Sequence, residues 1–347
     1  MDFDNKEIFQ QILDIKKRFG EDLIVLAHHY QRPEIVSVAD EIGDSYVLCK
    51  KAQQSNARYI VFCGVRFMAE SAEILRQPHQ MVFHPEPFSG CPMSDMAEGE
   101  DVQVAFNDLD DIWGRDSYIP IVYMNSSAEV KSLAGMHNGI ICTSSNAEKI
   151  VSYAFLRGKK VFFIPDEYLG FNTYKKLGRD ISKLAYWDFS LEDGGNDPSI
   201  LRQKDYLIWK GYCHVHTFFS KEHILKARER FKGCKIVVHP ECKPEVVDLA
   251  DASGSTEFIV RYVKELPSGS TVVIGTELNL IRRLSDIYKD RRVLDLARSV
   301  CPNMFKITLS KLRNTLENIP NLNRLELSDE VKEYAKEALI RMLEITG

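Results

Sequence analysis

The sequence has no Cys-x-x-Cys pair, no excess of basic charge, and no apolar run approaching the ~20 residues that cross a bilayer. Each absence excludes a class of function. Without a close cysteine pair, zinc ribbons, thioredoxin-like redox motifs and ferredoxin-type four-cysteine ligation are disfavoured. With 45 Lys and Arg against 50 Asp and Glu, nothing calls for nucleic acid or an anionic membrane, and no helix-turn-helix pattern is visible. The opening stretch MDFDNKEIFQ is acidic and lacks a basic region followed by an apolar one. No secretory signal is expected, and a cytoplasmic location is the default expectation.

Eight cysteines are present: Cys49, Cys63, Cys91, Cys142, Cys213, Cys234, Cys242 and Cys301. In a long chain that is not cysteine-dense, a disulfide framework is not expected. Cys49, Cys63, Cys142 and Cys234 fall in apolar strand or helix patterns and read as inert packing residues. Cys242 reads the same way, although it adjoins a polar motif. Cys91, Cys213 and Cys301 differ. They stand in Ser-Gly-Cys-Pro-Met, Gly-Tyr-Cys-His-Val-His and Cys-Pro-Asn-Met, which are loop contexts rather than core patterns. Spacing alone makes a weak case that they share a metal.

Short apolar runs alternate with amphipathic stretches. The runs cover residues 23–27, 59–63, 81–83, 119–124, 139–142, 161–164, 206–209, 234–238, 271–274 and 304–307. They are nearly continuous in apolar character, as strands of a parallel sheet covered on both faces read. Helical patterns cover 34–42, 128–133, 147–156 and 259–265. The alternation predicts an α/β fold. Strand clusters opening near residues 23, 119 and 206 suggest three similar α/β units, over residues 1–105, 106–205 and 206–347. The polar stretch 180–204 reads as a surface insertion or linker, and the tail from Ser328 as a packing helix with Ser328 as its N-cap.

Strand ends carry the chemistry in such folds. Thr143-Ser144-Ser145 follows a strand, and Ser145-Asn146-Ala147-Glu148 fits a capping box. Asp44-Ser45 and Gly254-Ser255-Thr256 have a similar form. Each could be an N-cap and nothing more. Three at matched places favour a ligand with several anionic groups, such as a dicarboxylate with a phosphate.

Ordered blocks run through nearly the whole chain. They include Ala27-His28-His29-Tyr30-Gln31-Arg32-Pro33-Glu34, Gly43-Asp44-Ser45, Phe62-Cys63-Gly64-Val65-Arg66-Phe67, Tyr123-Met124-Asn125-Ser126-Ser127 and Cys142-Thr143-Ser144-Ser145-Asn146-Ala147. Further blocks are Gly211-Tyr212-Cys213-His214-Val215-His216, His239-Pro240-Glu241-Cys242, Gly254-Ser255-Thr256, Gly275-Thr276-Glu277 and Cys301-Pro302-Asn303-Met304. The series resembles the quinolinate synthase (quinolinate synthetase A) family. Departures are modest: Arg66 stands where many members have histidine, and Pro92 where a small residue is usual.

The resemblance implies three αβα units with parallel sheets around a pseudo-threefold axis. It implies a [4Fe–4S] cluster held by Cys91, Cys213 and Cys301, with one iron open as a Lewis acid. The implied reaction condenses iminoaspartate with dihydroxyacetone phosphate to quinolinate, phosphate and water, for NAD biosynthesis. An L-aspartate oxidase or dehydrogenase supplying iminoaspartate would be the partner. Within this resemblance, Glu241 is the favoured base, with His28, Tyr30, His216 and His239 as further proton carriers. Ser45, Ser144, Ser255 and Thr256 are expected to hold carboxylates, and Tyr123 and Asn125 to orient substrate. His28, His239 and Glu241 would also touch it. His79, His84 and His137 are expected to be structural. Two other readings stay open: a three-cysteine enzyme of the diphthamide-synthesis type, and a cluster-bearing redox sensor.

Overall fold

The computed structural model describes residues 3–347. Its strands form three sheets. The first holds β1 (Leu23–His28), β2 (Glu41–Gly43), β3 (Tyr59–Cys63) and β4 (Met81–Phe83). The second holds β5 (Tyr118–Tyr123), β6 (Ile140–Cys142), β7 (Lys160–Ile164), β8 (Leu184–Trp187) and β9 (Tyr206–Trp209). The third holds β10 (Lys235–Val238), β11 (Ala252–Ser253), β12 (Thr271–Gly275) and β13 (Arg292–Asp295). Every pairing within the three sheets is parallel. This is the expected α/β fold of three similar units.

Each sheet follows one order: second strand, first, third, fourth. The middle sheet adds β9 between β7 and β8. The first strands β1, β5 and β10 are therefore interior, with helices on both sides, and their residues are almost wholly buried. One apolar core runs through all three units, joining Leu26, Phe106, Ile121, Val237 and Ile274. It brings the strand C-terminal ends together.

The structure departs from the sequence reading in several places. The run 206–209 opens no third sheet: as β9 it pairs with β7 and β8 of the second. The stretch 180–204 is no mere linker, since it carries the edge strand β8 and the short helix Pro198–Leu201. The pattern 34–42 is helical only over Pro33–Val36, and its end becomes β2, pinned by the pairing of Leu26 with Glu41. The run 304–307 is a 3₁₀ turn over Met304–Lys306. The capping box at 145–148 does not form: Asn146 is the N-cap of the helix Ala147–Leu156, and its Oδ1 instead accepts the Thr143 N–H at 2.7 Å.

The tail is helical over Asp329–Thr346, with Ser328 Oγ accepting the Val331 N–H at 3.3 Å. It packs on the second unit's helix Ala128–Met136 rather than on the third sheet. Gly135 makes the contact possible, because a Cβ there would stand 2.0 Å from the Tyr334 carbonyl oxygen. Among the described residues, no helix is long and apolar enough to cross a membrane.

Candidate active site

A cavity lies where strand ends from the three sheets meet, with about 630 Å³ of empty space when the solvent at its open mouth is included. Its lining includes His28, Tyr30, Ser45, Tyr123, Asn125, Ser144, His216, His239, Glu241 and Thr256, together with Cys91, Cys213 and Cys301. Of the residues expected at the site, Ser255 alone is not on its wall. Its Oγ accepts the Phe258 N–H at 3.3 Å as an ordinary N-cap of the helix Thr256–Glu265. His79, His84 and His137 also lie outside the lining.

The lining follows the sheet order. The first strands end at or beside His28, Tyr123 and His239, and each contributes the residue two further on: Tyr30, Asn125 and Glu241. The second strands lead into Ser45, Ser144 and Thr256. Loops after the sheets' later strands bear the cysteines.

Two of the first-strand turns share a device. His28 Nδ1 accepts the Tyr30 N–H at 3.1 Å, and His239 Nδ1 accepts the Glu241 N–H at 3.4 Å. Burial, then the fields of His29, Arg283 and His239, holds the His28 pKa well below its ordinary value. Burial, then His216, lowers that of His239 to about 3, against the opposing pull of Glu241. Both rings are thus neutral near pH 7. With Nδ1 accepting, the proton sits on Nε2.

Glu241 is 1% exposed. Its Oε2 accepts from His216 Nδ1 at 2.6 Å, and Oε1 has no hydrogen-bond partner among the described residues. Burial pushes its carboxyl up, but the charges of His216 and His239, the bond from His216 and the neighbouring Tyr123 hydroxyl outweigh this and hold it at about 2. His216 Nε2 meets Thr276 Oγ1 at 3.1 Å, Thr276 Oγ1 meets the Tyr30 hydroxyl at 2.7 Å, and Thr256 Oγ1 donates to that hydroxyl at 3.1 Å. An unbroken hydrogen-bonded chain therefore runs from a carboxylate to a phenol across two units. Such a chain can move or hold a proton.

Cys91, Cys213 and Cys301 are half-buried, while the other five cysteines are buried. Burial is the main influence raising all three thiol pKa values, Cys91 to about 12. The charges of Cys91 and Cys301 also raise Cys213, and that of Cys301 raises Cys91. The Ser94 and Met93 N–H groups face the Cys91 sulfur, and those of Met304 and Asn303 the Cys301 sulfur, each opposing the upward push of burial. The two Cys-Pro loops thus build the same sulfur-facing amide turn. Gly211 sets the third loop, since a Cβ there would meet the Pro165 carbonyl oxygen at 2.4 Å. Cys213, His216 and Glu241 offer ligand atoms that all lie within 4.8 Å of one another.

Three residues here carried no assignment in the sequence reading. Thr276 completes the proton chain. Asp166 is fully buried, accepts the Leu169 N–H at 2.6 Å, and has its pKa raised by burial and then by Glu241. Glu277 is raised to about 8 by burial, although its Oε2 accepts the Asn279 N–H at 2.7 Å. Asp166 and Thr276 follow third strands, where a polar residue at a strand end was the available signal.

A family model described as quinolinate synthetase A protein matches residues 10–344. The quinolinate synthase of Corynebacterium glutamicum is 41% identical over 345 residues, covering 98% of this chain and 88% of that protein. That of Streptomyces coelicolor is 43% identical, covering 94% and 86%. That of Anoxybacillus flavithermus is 40% identical, covering 97% and 93%.

Proposed function

The chain belongs to the quinolinate synthetase A family, and we propose from that premise that it forms quinolinate for NAD biosynthesis by condensing iminoaspartate with dihydroxyacetone phosphate, releasing phosphate and water. The observation that carries the reading is the convergence of three thiols, a carboxylate with a free oxygen and three helix-end hydroxyls on one cavity.

The three thiols fit a [4Fe–4S] cluster. Their ionisation is opposed by burial and by one another, which a cationic iron centre would relieve. Amides aimed at Cys91 and Cys301 are the usual company of cluster thiolates. When bound, such a cluster supplies Lewis acidity toward a substrate oxygen at the iron that lacks a protein ligand.

The chain's own groups divide the remaining work. Ser45, Ser144 and Thr256 offer hydroxyls to the substrate's anionic groups, Ser45 and Thr256 in the first turns of their helices. His28 and His239 donate Nε2–H to substrate oxygens. Asn125 Oδ1 is buried without a partner among the described residues, and it accepts from the substrate nitrogen. Glu241 removes a proton through Oε1 while His216 fixes Oε2. Tyr30, joined to Glu241 through Thr276 and His216, returns protons to departing oxygen on the triose side.

The iminoaspartate arrives from a separate aspartate-oxidising enzyme, an L-aspartate oxidase or dehydrogenase. The hydroxyls of Ser45, Ser144 and Thr256 and the Glu241 carboxylate on the cavity wall favour this reading over one that cleaves S-adenosylmethionine. The test is anaerobic incubation of cluster-replete protein with iminoaspartate and dihydroxyacetone phosphate. Quinolinate and phosphate should appear in equal amounts. Absence of quinolinate from protein with a full complement of iron would overturn the assignment.

A further inference from the structure

We propose that His29, Asp44, Ser145, Glu257 and Arg283 form a ring of contacts between the three units that sets the spacing of the substrate-binding residues, and that they are therefore positioning residues for the reaction. The inference rests on the proposed roles of Ser45, Ser144 and Thr256.

The contacts tie the first unit to the second through Asp44 and to the third through Asp44 and His29. Asp44 Oδ1 caps its own helix, accepting the Tyr46 and Val47 N–H groups at 3.0 Å each. Its Oδ2 accepts from Ser145 Oγ of the second unit at 3.0 Å. Its backbone N–H faces the Glu257 carboxylate of the third unit. Glu257 Oε1 returns to the first unit, meeting His29 Nε2 at 2.6 Å. Arg283, again of the third unit, donates to His29 Nδ1. An arginine only donates, so Nδ1 must accept, and Nε2–H is left to donate to Glu257. Every polar atom of the imidazole is thereby committed.

The sequence positions give the ring its meaning. His29 stands between His28 and Tyr30. Asp44 precedes Ser45, Ser145 follows Ser144, and Glu257 follows Thr256. Each of these ring residues is the chain neighbour of a cavity-lining residue, and Asp44 also lines the cavity itself, so the backbone that presents a ligand-facing group is tied down one residue away. His29 and Asp44 are buried, whereas Ser145 and Glu257 face an outer cleft between the second and third units. The ring forms part of the wall between that cleft and the cavity.

Isolated ion pairs near a surface contribute little stability. Their value here is positional: groups that must meet a transition state lose on the order of 10²-fold in rate when displaced by about 1 Å. None of the ring residues needs to touch substrate for this.

The test uses cluster-replete protein carrying Glu257→Ala, Ser145→Ala, both together, or Glu257→Gln. Quinolinate affinity is measured by calorimetry, kcat and KM by anaerobic assay, and backbone amide exchange over residues 45–47, 144–147 and 256–258. Glu257→Ala should weaken quinolinate binding and raise KM about ten-fold or more, with iron content unchanged. It should also speed exchange at 45–47, across the unit boundary. Glu257→Gln should recover part of both effects, since its amide oxygen still accepts. The double variant should lose less than the product of the two single losses, because both residues act on one shared partner, Asp44. Parental affinity with exchange altered only at 256–258 would overturn the ring, as would fully multiplicative losses. A parent protein that neither binds nor forms quinolinate would overturn the functional reading instead, and exchange at 45–47 would then decide the ring by itself.

Discussion

His216 Nδ1 stands 2.6 Å from Glu241 Oε2, and both side chains are buried. The pairing leaves Oε1 without a hydrogen-bond partner among the described residues, and the proposed mechanism makes it the reactive oxygen. Glu241→Gln keeps an acceptor for His216 and removes the base. The variant should fold, keep its iron and lose ~10²–10⁴-fold in quinolinate formation. Anaerobic quinolinate assay of the iron-replete variant checks this, with phosphate release followed in parallel to detect an earlier triose-phosphate step. Activity within a few-fold of the parent would take Glu241 out of the mechanism and move the proton transfers to Tyr30 and the histidines.

The cysteines divide into two groups on structural grounds. Replacing Cys91, Cys213 or Cys301 by alanine should remove most of the iron and sulfide from anaerobically purified protein. Cys49 and Cys234 are buried in apolar clusters, so their replacement by alanine should cost stability and leave iron unaffected. Iron and sulfide analysis of each variant separates the outcomes. A full iron content in one of the first three variants would reject that cysteine as a ligand.

The same division between structure and function shows how far the sequence could be read. The interior strands announced themselves because both faces are covered, which writes a continuous apolar run into β1, β5 and β10. The strands β2, β8, β11 and β13 went unrecognised, and each lies at a sheet edge. They are short and partly exposed, so neither an apolar run nor an alternation is long enough to register. The placement of β9 was hidden for another reason. Its sequence says that it is an interior strand but not which sheet it joins. At the site, hydroxyls and histidines after first and second strands were legible from position. Thr276 and Asp166 were not, since their significance lies in contacts with residues more than 40 positions away.

Ser255 and Thr256 are neighbours with different work, and substitution should separate them. Ser255→Ala removes the cap on the Phe258 N–H and should cost the protein ~1 kcal/mol of stability with little change in substrate affinity. Ser144→Ala and Thr256→Ala should each weaken binding of quinolinate by ~1.5–3 kcal/mol while iron is retained. Calorimetric titration with quinolinate, paired with thermal unfolding, distinguishes the two patterns. If Ser144→Ala and Thr256→Ala both bind quinolinate as the parent does, those hydroxyls are structural.

Lys131 gives the fold a pH dependence that can be assigned to one residue. It is wholly buried, with Nζ donating to the Ser126 carbonyl at 2.6 Å, and it thereby braces the turn that carries Asn125 into the cavity. Burial lowers its pKa to about 8, against the opposing pull of Glu70 and Cys49. The unfolded chain returns this amine to 10.5, the ordinary value. Between these values the unfolded state holds a proton that the folded state has released, so this group's contribution to stability rises with pH. Below pH 8 its burial penalty is at its maximum and constant. Across the interval the gain is about 3 kcal/mol. Other groups titrate over the same range, so the informative quantity is the difference between the parent and Lys131→Met. Anaerobic unfolding of both proteins at pH 7.5 and pH 10 should show the parent gaining ~2 kcal/mol relative to the variant as pH rises, most of the full gain. A difference that stays constant between the two pH values would mean that Lys131 remains charged in the folded protein.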